Sequence, residues 1–287
     1  MQMLDSEKRE IFRKVLQGEE CLFPGSVYDA VSARLATEVG FEIGMFAGSI
    51  GSSVVLGAPD YIVLTLTEFA DQARRICRNT DLPLLVDADH GYGNALNVKR
   101  TVEELENAGV AALTIEDTHL PRPYGTQKPT LISIDEGIGK MKAALEGRSD
   151  SSLIIAGRSS AFSLTSIEDA VERAKQYESA GVDAMFFAGI STREELAAAR
   201  DAISIPIMLG SLSQELEDKK FLSSMGVKVA LQGHLPYMAG VKAVYEVMKA
   251  LRSGTKPSEL GGASQYSDLI GRVTREKEHD GWIDKYL

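Results

Sequence analysis

The sequence alternates eight times between a short run rich in β-forming residues and a longer segment of helical periodicity. Repeated βα units of this kind are typical of a parallel sheet covered by helices. The strands are predicted at residues 21–26, 42–47, 82–89, 112–117, 152–158, 184–189, 206–211 and 227–234. Eight such units in 287 residues predict an α/β fold, a closed (β/α)8 TIM barrel, because barrels of this class occupy about 250 residues as one domain.

The segments between the strands have the periodicity of amphipathic helices, and several stop just before a glycine, such as Gly40, Gly109, Gly181 and Gly226. Glycine at this position is typical of a left-handed helix C-cap. The helices are predicted at residues 30–39, 67–78, 97–108, 134–146, 167–180, 193–203, 217–225 and 237–251. We assign the barrel to residues 1–252, followed by a helical extension, 253–287, that we expect to pack on the barrel or on a neighbouring subunit.

Composition and charge exclude several classes of function. The formal net charge of −10 argues against a nucleic-acid partner, because phosphate binding needs clustered lysine and arginine. No apolar run approaches the roughly 20 residues of a membrane span, and the polar residues 1–17 are unlike a signal peptide. Cys21 and Cys77 lie far apart without metal-ligand spacing, as expected of free thiols in a reducing compartment. We therefore expect a cytoplasmic protein with no membrane partner.

Acidic residues end two neighbouring predicted strands, at the edge where α/β barrels carry their active sites. Asp87 and Asp89 end the third strand, and Glu116 ends the fourth. Residues two apart on a strand face the same side, so these three carboxylates are expected to share one pocket. Their repulsion is relieved by a cation, and an all-oxygen site suits Mg²⁺ or Mn²⁺. The structural alternative is that they cap helices or pair with lysine.

Two further polar residues end predicted strands. Arg158 ends the fifth strand, and its planar guanidinium suits a carboxylate or a developing enolate oxygen, although an ion pair with Glu116 is the structural alternative. His234 ends the eighth strand and is a candidate for binding a substrate carboxylate or transferring a proton, or else is a structural histidine. After the second strand, Gly48 and Ser49 begin a small-residue loop whose backbone N–H groups are candidates for holding a carboxylate.

Four short motifs carry a resemblance to a known family. They are GSVYDA at 25–30, DADHGYGN at 87–94, TIED at 114–117 and QGH at 232–234. With these motifs in this order, the chain resembles the isocitrate lyase and phosphoenolpyruvate mutase superfamily, and within it the oxaloacetate decarboxylase branch. The resemblance covers about residues 23–251.

The resemblance implies a metal site and a substrate site. Asp87 would bind Mg²⁺ directly, and the waters of the ion would be held by Asp89, Glu116 and Asp60. Asp60 is a residue that the pattern alone does not single out.

For the substrate, a small 2-keto dicarboxylate, the resemblance implies that Ser49 and Arg158 bind the carboxylate and keto oxygen. His234 would bind the far carboxylate. The family also implies an eighth helix exchanged between subunits and a homotetramer built from two dimers.

The loop after the fourth strand bears on the reaction. Carbon–carbon lyases of the superfamily resemble one another in a KKCGH loop whose cysteine donates a proton, whereas this chain reads LPRPYGTQK at 120–128. Decarboxylation needs no such acid, because metal chelation of oxaloacetate and Arg158 stabilise the enolate while CO₂ leaves. Mg²⁺-dependent conversion of oxaloacetate to pyruvate is therefore the leading hypothesis.

Two alternatives stay open at this stage. One is a lyase for a substituted malate or a carbon–phosphorus bond, using Tyr124 or Lys128 in place of the absent cysteine. The other is a barrel that binds a keto acid without turnover. This last idea is motivated by two departures from the family pattern, Ser159-Ser160 after Arg158 and Leu212 after the seventh strand.

Overall fold

Eight parallel strands form one sheet in the order of the sequence in the computed structural model, which describes residues 3–261 and 264–287. The strands β1 to β8 are Gly25–Ser26, Gly44–Phe46, Leu84–Asp87, Ala112–Glu116, Ile154–Ser159, Ala184–Phe187, Ile207–Leu209 and Val227–Ala230. Leu22, just before β1, closes the circle: its N–H donates to Lys228 O over 2.8 Å, and its carbonyl accepts from Ala230 N over 3.0 Å. The predicted (β/α)8 barrel is confirmed.

Helices follow the strands around the outside of the barrel. Helices α1 to α13 are Asp5–Gln17, Ala30–Glu38, Gly48–Gly51, Leu66–Cys77, Ala95–Asn107, Ile134–Gly147, Ala161–Leu164, Ile167–Ala180, Arg193–Ala202, Lys219–Ser224, Leu235–Arg252, Ser264–Thr274 and Glu276–Tyr286. A π-helix, Ser52–Leu56, continues α3, and 3-10 turns lie at Gln214–Leu216 and Pro257–Leu260. None of the described helices has the length and apolar character that crossing a membrane requires.

Strand side chains alternate between two apolar cores, as the two-residue period of a strand requires. Leu85, Ala112, Ile154 and Phe186 belong to the inner core, where Phe12 of α1 also packs. The residues next to them in sequence belong to the outer core between strands and helices; they include Leu84, Leu113, Ile155 and Phe187. The same alternation decides which polar side chains at the strand ends enter the barrel.

Three local predictions that bear on the site were wrong. The eighth strand ends at Ala230 rather than at residue 234, and His234 lies beyond it at the start of α11, after a left-handed Gly233 with φ of 80°. The third strand ends at Asp87 rather than at residue 89, because Asp89 has a left-handed backbone with φ of 47° that no strand can continue. The segment beginning at Gly48 is helical rather than a loop. Its small residues are mostly buried and pack closely, so that a Cβ on Gly51 would lie 3.0 Å from Leu64 Cδ2.

Helix α11 follows β8 but has no buried residue. Its apolar stripe is exposed to solvent and comprises Leu235, Met238, Val241, Tyr245 and Met248. Helix α12 contacts α2, where Arg34 Nη1 donates to the carbonyl of Val273 over 2.7 Å. The domain boundary at residue 252 stays a prediction.

Two glycines on one helix provide a test of the packing. On α6, a Cβ on Gly137 would lie 2.7 Å from Cζ of the buried Tyr177, whereas a Cβ on Gly139 has nothing within 4 Å. We expect Gly137→Ala to lower the free energy of unfolding by about 1–3 kcal/mol through overpacking. Gly139→Ala should raise it by about 1 kcal/mol through helix propensity. Urea denaturation measures both, and effects of the same sign would contradict this packing.

Candidate active site

On each of three strands, β3, β4 and β5, the last side chain that faces the interior of the barrel is charged. Asp87 follows Leu85 on β3, Glu116 lies on β4 beyond Ala112, and Arg158 lies directly beside Glu116 in the strand register. Arg158 pairs with Asp87 through Nη1 and Oδ2, and its Nε lies 3.2 Å from Glu116 Oε2. The ion pair of Arg158 with Glu116, the structural alternative, is therefore present, and Arg158 contacts two of the four predicted metal-site carboxylates.

The guanidinium of Arg158 lies above the inner core of the barrel, with Cζ 5.5 Å from the centre of the Phe186 ring. Burial alone would lower the pKa of Arg158, but the negative charges of Asp87 and Glu116 outweigh it and raise that pKa. The arginine therefore remains a cation in a pocket closed from below by apolar side chains.

Asp89 reaches the pocket from just beyond β3. Its backbone N–H donates to Asp87 Oδ1 over 3.1 Å, and its carbonyl accepts from Glu116 N over 2.9 Å. The Asp89 carboxylate lies against Gly48, where a Cβ would be 2.6 Å from Oδ1. Gly48 is thus required at this position because a side chain would displace the carboxylate.

Negative charge is in excess in this pocket. Burial raises the pKa of Asp89 well above its usual value, and the charges of Asp87, Glu116 and Asp60 raise it further. Burial also raises the pKa of Glu116, although Arg158 opposes this effect. Asp60 lies at the exposed rim, where partial burial of its carboxylate and then Asp87 raise its pKa. Four carboxylates thus share one guanidinium, and a cation would relieve their repulsion.

The donor set fits a hard divalent cation. Asp60 and Asp89 have no ion-pair partner in the part of the chain described, and carboxylate oxygens are the ligands that Mg²⁺ prefers. Within residues 3–261 and 264–287, no three His, Cys, Asp or Glu side chains are grouped so that they could hold a metal ion by themselves. Mg²⁺ commonly binds one or two carboxylates and keeps several waters, so it does not require three side chains at ligand spacing.

His234 follows β8 and Ser49 follows β2, the two strands that flank β1 in the closed barrel. His234 is half-buried at the start of α11, and its Nδ1 lies 2.8 Å from Ser26 Oγ at the end of β1. Burial lowers the pKa of His234, with Asp87 acting in the opposite direction, so the neutral ring is favoured. Ser49 is the second residue of α3, so that its backbone N–H has no acceptor within the helix.

Asp117 faces the outer layer and not the pocket. Its Oδ2 accepts from Ser159 Oγ over 3.0 Å, from Tyr177 OH over 2.9 Å and from Arg173 Nη1 over 3.1 Å. Ser159, which follows Arg158, therefore links the ends of β4 and β5 on the side that faces the helices. Leu212, the second departure, packs against the outer core.

Two residues near the site were missed by reasoning on sequence. The buried ammonium of Lys140 donates to the carbonyl of His90 over 2.9 Å and so holds the backbone after Asp89. The hydroxyl of Tyr92 is buried without a hydrogen-bond partner among the described residues. The Gly-Tyr-Gly sequence around Tyr92 indicates an unusual turn, but the hydroxyl environment depends on residues distant in sequence.

The loop 120–131 borders the site. A cavity of about 430 Å³ lies between this loop and the segment after α3, and it is lined by Asp60, Tyr61, Ile62, His119, Leu120 and Arg122 among others. Tyr124 at the tip of the loop is fully exposed. The loop is therefore adjacent to one of the predicted metal-site residues.

An α/β barrel with acidic residues, an arginine and a histidine gathered at its strand ends has the architecture of a barrel enzyme. The family model described as phosphoenolpyruvate phosphomutase matches residues 12–252. The chain belongs to this family, which confirms the resemblance in its motifs.

Individual relatives agree with this assignment. An oxaloacetate decarboxylase from Bradyrhizobium sp. strain BTAi1 is 55% identical over 98% of this chain and 97% of the relative. Among solved structures, 2,3-dimethylmalate lyase superposes with a TM-score of 0.84 at 23% identity, covering 100% of both chains. A phosphonopyruvate hydrolase in complex with oxalate and Mg²⁺ has a TM-score of 0.80 at 25% identity, covering 99% of this chain and 100% of the other.

The outward network of Asp117 should be necessary for stability. Asp117→Ala leaves the buried Tyr177 hydroxyl without its acceptor and removes the buried carboxylate that pairs with Arg173, and it should lower the free energy of unfolding by about 3–5 kcal/mol, as for other broken buried ion pairs. Asp169→Ala removes the more exposed partner of Arg173 and should cost about 1 kcal/mol or less. Equal losses in urea denaturation would contradict a central role for Asp117.

Proposed function

We propose that this protein decarboxylates oxaloacetate to pyruvate and CO₂ with the help of Mg²⁺, with Mn²⁺ as a substitute. The observation that carries the metal requirement is the cluster of four carboxylates around Arg158 at the mouth of the barrel. The reaction is supported by the 55% identity to a relative named oxaloacetate decarboxylase over nearly the whole length of both chains.

Asp87 is the proposed direct ligand of the metal. Its Oδ1 already accepts from Asp89 N and Thr114 Oγ1, while Oδ2 pairs with Arg158. Because each carboxylate oxygen has two lone pairs, Oδ2 retains capacity for a cation beside the arginine. Asp60, Asp89 and Glu116 are proposed to hold waters of the ion through their remaining oxygens. When bound, the metal supplies Lewis-acid polarisation of the substrate ketone and carboxylate.

Arg158 has the central catalytic role in this proposal. As carbon dioxide leaves, negative charge develops on the keto oxygen, and a preorganised guanidinium stabilises that charge. Asp87 and Glu116 fix the guanidinium in place, so little reorganisation is needed when the charge appears. The N–H groups of Gly48 and Ser49 at the start of α3 are proposed to bind the neighbouring carboxylate.

His234 is proposed to bind the far carboxylate of the substrate. A neutral imidazole donates through Nε2 when Nδ1 carries no proton, and a hydrogen bond donated by the Ser26 hydroxyl to Nδ1 would favour that tautomer. A water molecule beside His234 then protonates the carbon from which carbon dioxide has left, and solvent replaces the proton that this water gives up. No side-chain acid is needed while the carbon–carbon bond breaks.

The lyase alternative has no cysteine that could serve as its acid. The two cysteines of the sequence, Cys21 and Cys77, are both buried in the outer core, and burial raises the pKa of Cys77 to about 12. Neither thiol is therefore placed to donate a proton at the barrel mouth. Together with the relatives, this favours decarboxylation over cleavage of a substituted malate.

The exposed stripe of α11 supports an assembly. Leu235, Met238, Val241, Tyr245 and Met248 form an apolar face on a helix with no buried residue, and surfaces of this kind mark protein contacts. We propose that α11 packs against a neighbouring subunit, in a homotetramer with exchanged helices. A cavity lies beside the start of α11 and is lined by Phe23, Leu212, Leu231 and Leu235 among others. We propose it as the binding site of the helix exchanged from the neighbouring subunit.

Pyruvate release tests the proposed reaction. The purified protein with Mg²⁺ should form pyruvate from oxaloacetate faster than protein-free Mg²⁺, and a chelator should remove this excess. Arg158→Ala should lower kcat by about 100-fold to 1,000-fold, the usual effect of removing one preorganised charge-stabilising donor. Arg100→Ala, on the exposed surface of α5, should retain full activity. Pyruvate formation no faster than the metal-only control would refute the proposal.

Light scattering tests the assembly. The native protein should have the mass of four chains of 31.1 kDa. Val241→Glu combined with Met248→Glu places charges on the apolar stripe and should give smaller species, whereas Lys242→Glu, at a largely exposed lysine, should leave the tetramer intact. A native protein that is monomeric at all concentrations would contradict the exchanged-helix assembly.

A further inference from the structure

The turn that follows β3 is held by hydrogen bonds from three different elements. The carbonyls of the consecutive residues 89–91 each accept one of these bonds. In order, the donors are the backbone N–H of Glu116 on β4 over 2.9 Å, the ammonium of Lys140 on α6 over 2.9 Å and the hydroxyl of Thr101 on α5 over 3.0 Å. The turn is therefore fixed by the elements around it and not only by its own backbone.

The conformation of this turn needs such support. Asp89, Gly91, Tyr92 and Gly93 all have positive φ, a region that residues with side chains seldom adopt. A Cβ on Gly91 would lie 2.4 Å from Cγ2 of Val98, so α5 packs directly against the turn. Backbone in sparsely populated conformations persists only where the surrounding structure determines it, and it is commonly found at functional sites.

Thr101 differs from two other threonines in helices of this protein. The hydroxyls of Thr37 and Thr274 donate to carbonyls four residues earlier in their own helices, which is a common bond for a helical threonine. Thr101 is fully buried, and its hydroxyl donates out of its helix to the turn. Lys140 is buried as well, although a lysine is seldom buried unless it is paired. Two buried polar side chains from different helices thus end at the same turn.

Asp89 is the residue that this turn must hold in place. Its buried carboxylate lies against Gly48 and shares the pocket with Asp87, Glu116 and Asp60, whose negative charges repel it. Without a cation, this repulsion favours movement of Asp89 out of the pocket towards water. The hydrogen bonds from α5 and α6 oppose this movement, because they fix the two residues that follow Asp89.

We propose that Thr101 and Lys140 are positioning residues of the metal site, which keep the Asp89 carboxylate in place before the cation binds. This inference rests on the proposed metal site. Neither residue is a catalytic one, since both act through the backbone of the turn. A site that is already assembled binds a cation more tightly, because less binding energy is used to bring like charges together. Loss of either hydrogen bond should therefore weaken metal binding.

The pair Thr101→Val and Thr101→Ser tests this inference without a change of charge. Valine has nearly the shape of threonine but no hydroxyl, whereas serine retains the hydroxyl. With Mg²⁺ and oxalate, calorimetry should show a Kd for Mg²⁺ raised about tenfold in Thr101→Val, the lower end of the effect of losing groups that support metal ligands, and a nearly native Kd in Thr101→Ser. Thr274→Val, whose hydroxyl bonds within its own helix, is the matched control and should leave the Kd unchanged.

Lys140→Met is the second test. Loss of a positive charge would by itself strengthen the binding of a cation. A Kd for Mg²⁺ that is nevertheless higher in this variant therefore reports the lost hydrogen bond to the turn, and this is the expected result. An unchanged or lower Kd would overturn the role of Lys140.

The outcomes separate this inference from the proposed reaction. A native Kd in Thr101→Val, even in a variant that unfolds at a lower temperature, would make the hydrogen bond merely structural and overturn the role of Thr101, while leaving pyruvate formation untouched. An equal rise of the Kd in Thr101→Ser would overturn it as well. A higher Kd in Thr101→Val that serine restores supports it, even if the native protein forms no pyruvate. If the native protein binds no Mg²⁺ in the presence of oxalate, both proposals fail together.

Discussion

The site depends on one interaction, the contact of the Arg158 guanidinium with the carboxylates of Asp87 and Glu116. These three residues end the inward-facing rows of β3, β4 and β5, directly above the inner apolar core. The arginine keeps its charge because the two carboxylates outweigh the cost of burial. They in turn are tolerated in the pocket because the arginine is there. The further carboxylates of Asp60 and Asp89 exceed what one guanidinium can balance, and this imbalance is the physical basis for proposing a divalent cation.

The side chains of the same strands that face the helices stabilise the site instead of lining it. Asp117 and Ser159 directly follow Glu116 and Arg158 in sequence, yet they face the helix layer, where Tyr177 and the Arg173 side chain complete a buried network. Arg158 and Asp117 are also joined through their backbones, since Asp117 N donates to Arg158 O over 3.1 Å. A polar cluster on the other side of the sheet therefore holds the strand ends that carry Glu116 and Arg158. In this fold, binding groups and supporting groups alternate along a single strand.

The strand period accounts for how far sequence reasoning could reach. It predicted eight strands and a barrel, and it brought Asp87, Glu116 and Arg158 to one edge, because these residues lie on regular strands with a fixed alternation. It could not predict how Asp89 enters the pocket, since the strand stops at Asp87 and a left-handed turn takes over. The contact of Ser26 with His234 joins residues 208 positions apart, and no local pattern encodes it. The helix that begins at Gly48 was not predicted either. Its small residues are typical of a loop, and their close packing depends on residues from other parts of the chain.

The central claim is that a divalent cation completes the carboxylate cluster around Arg158. The most direct test is a crystal structure with Mn²⁺ and oxalate, using the anomalous scattering of manganese to locate the ion. We predict a peak within bonding distance of Asp87, with waters between the ion and Asp60, Asp89 and Glu116, and with the Arg158 guanidinium in contact with oxalate. A manganese peak elsewhere on the molecule, or none in a crystal soaked to saturation, would contradict this account of the site.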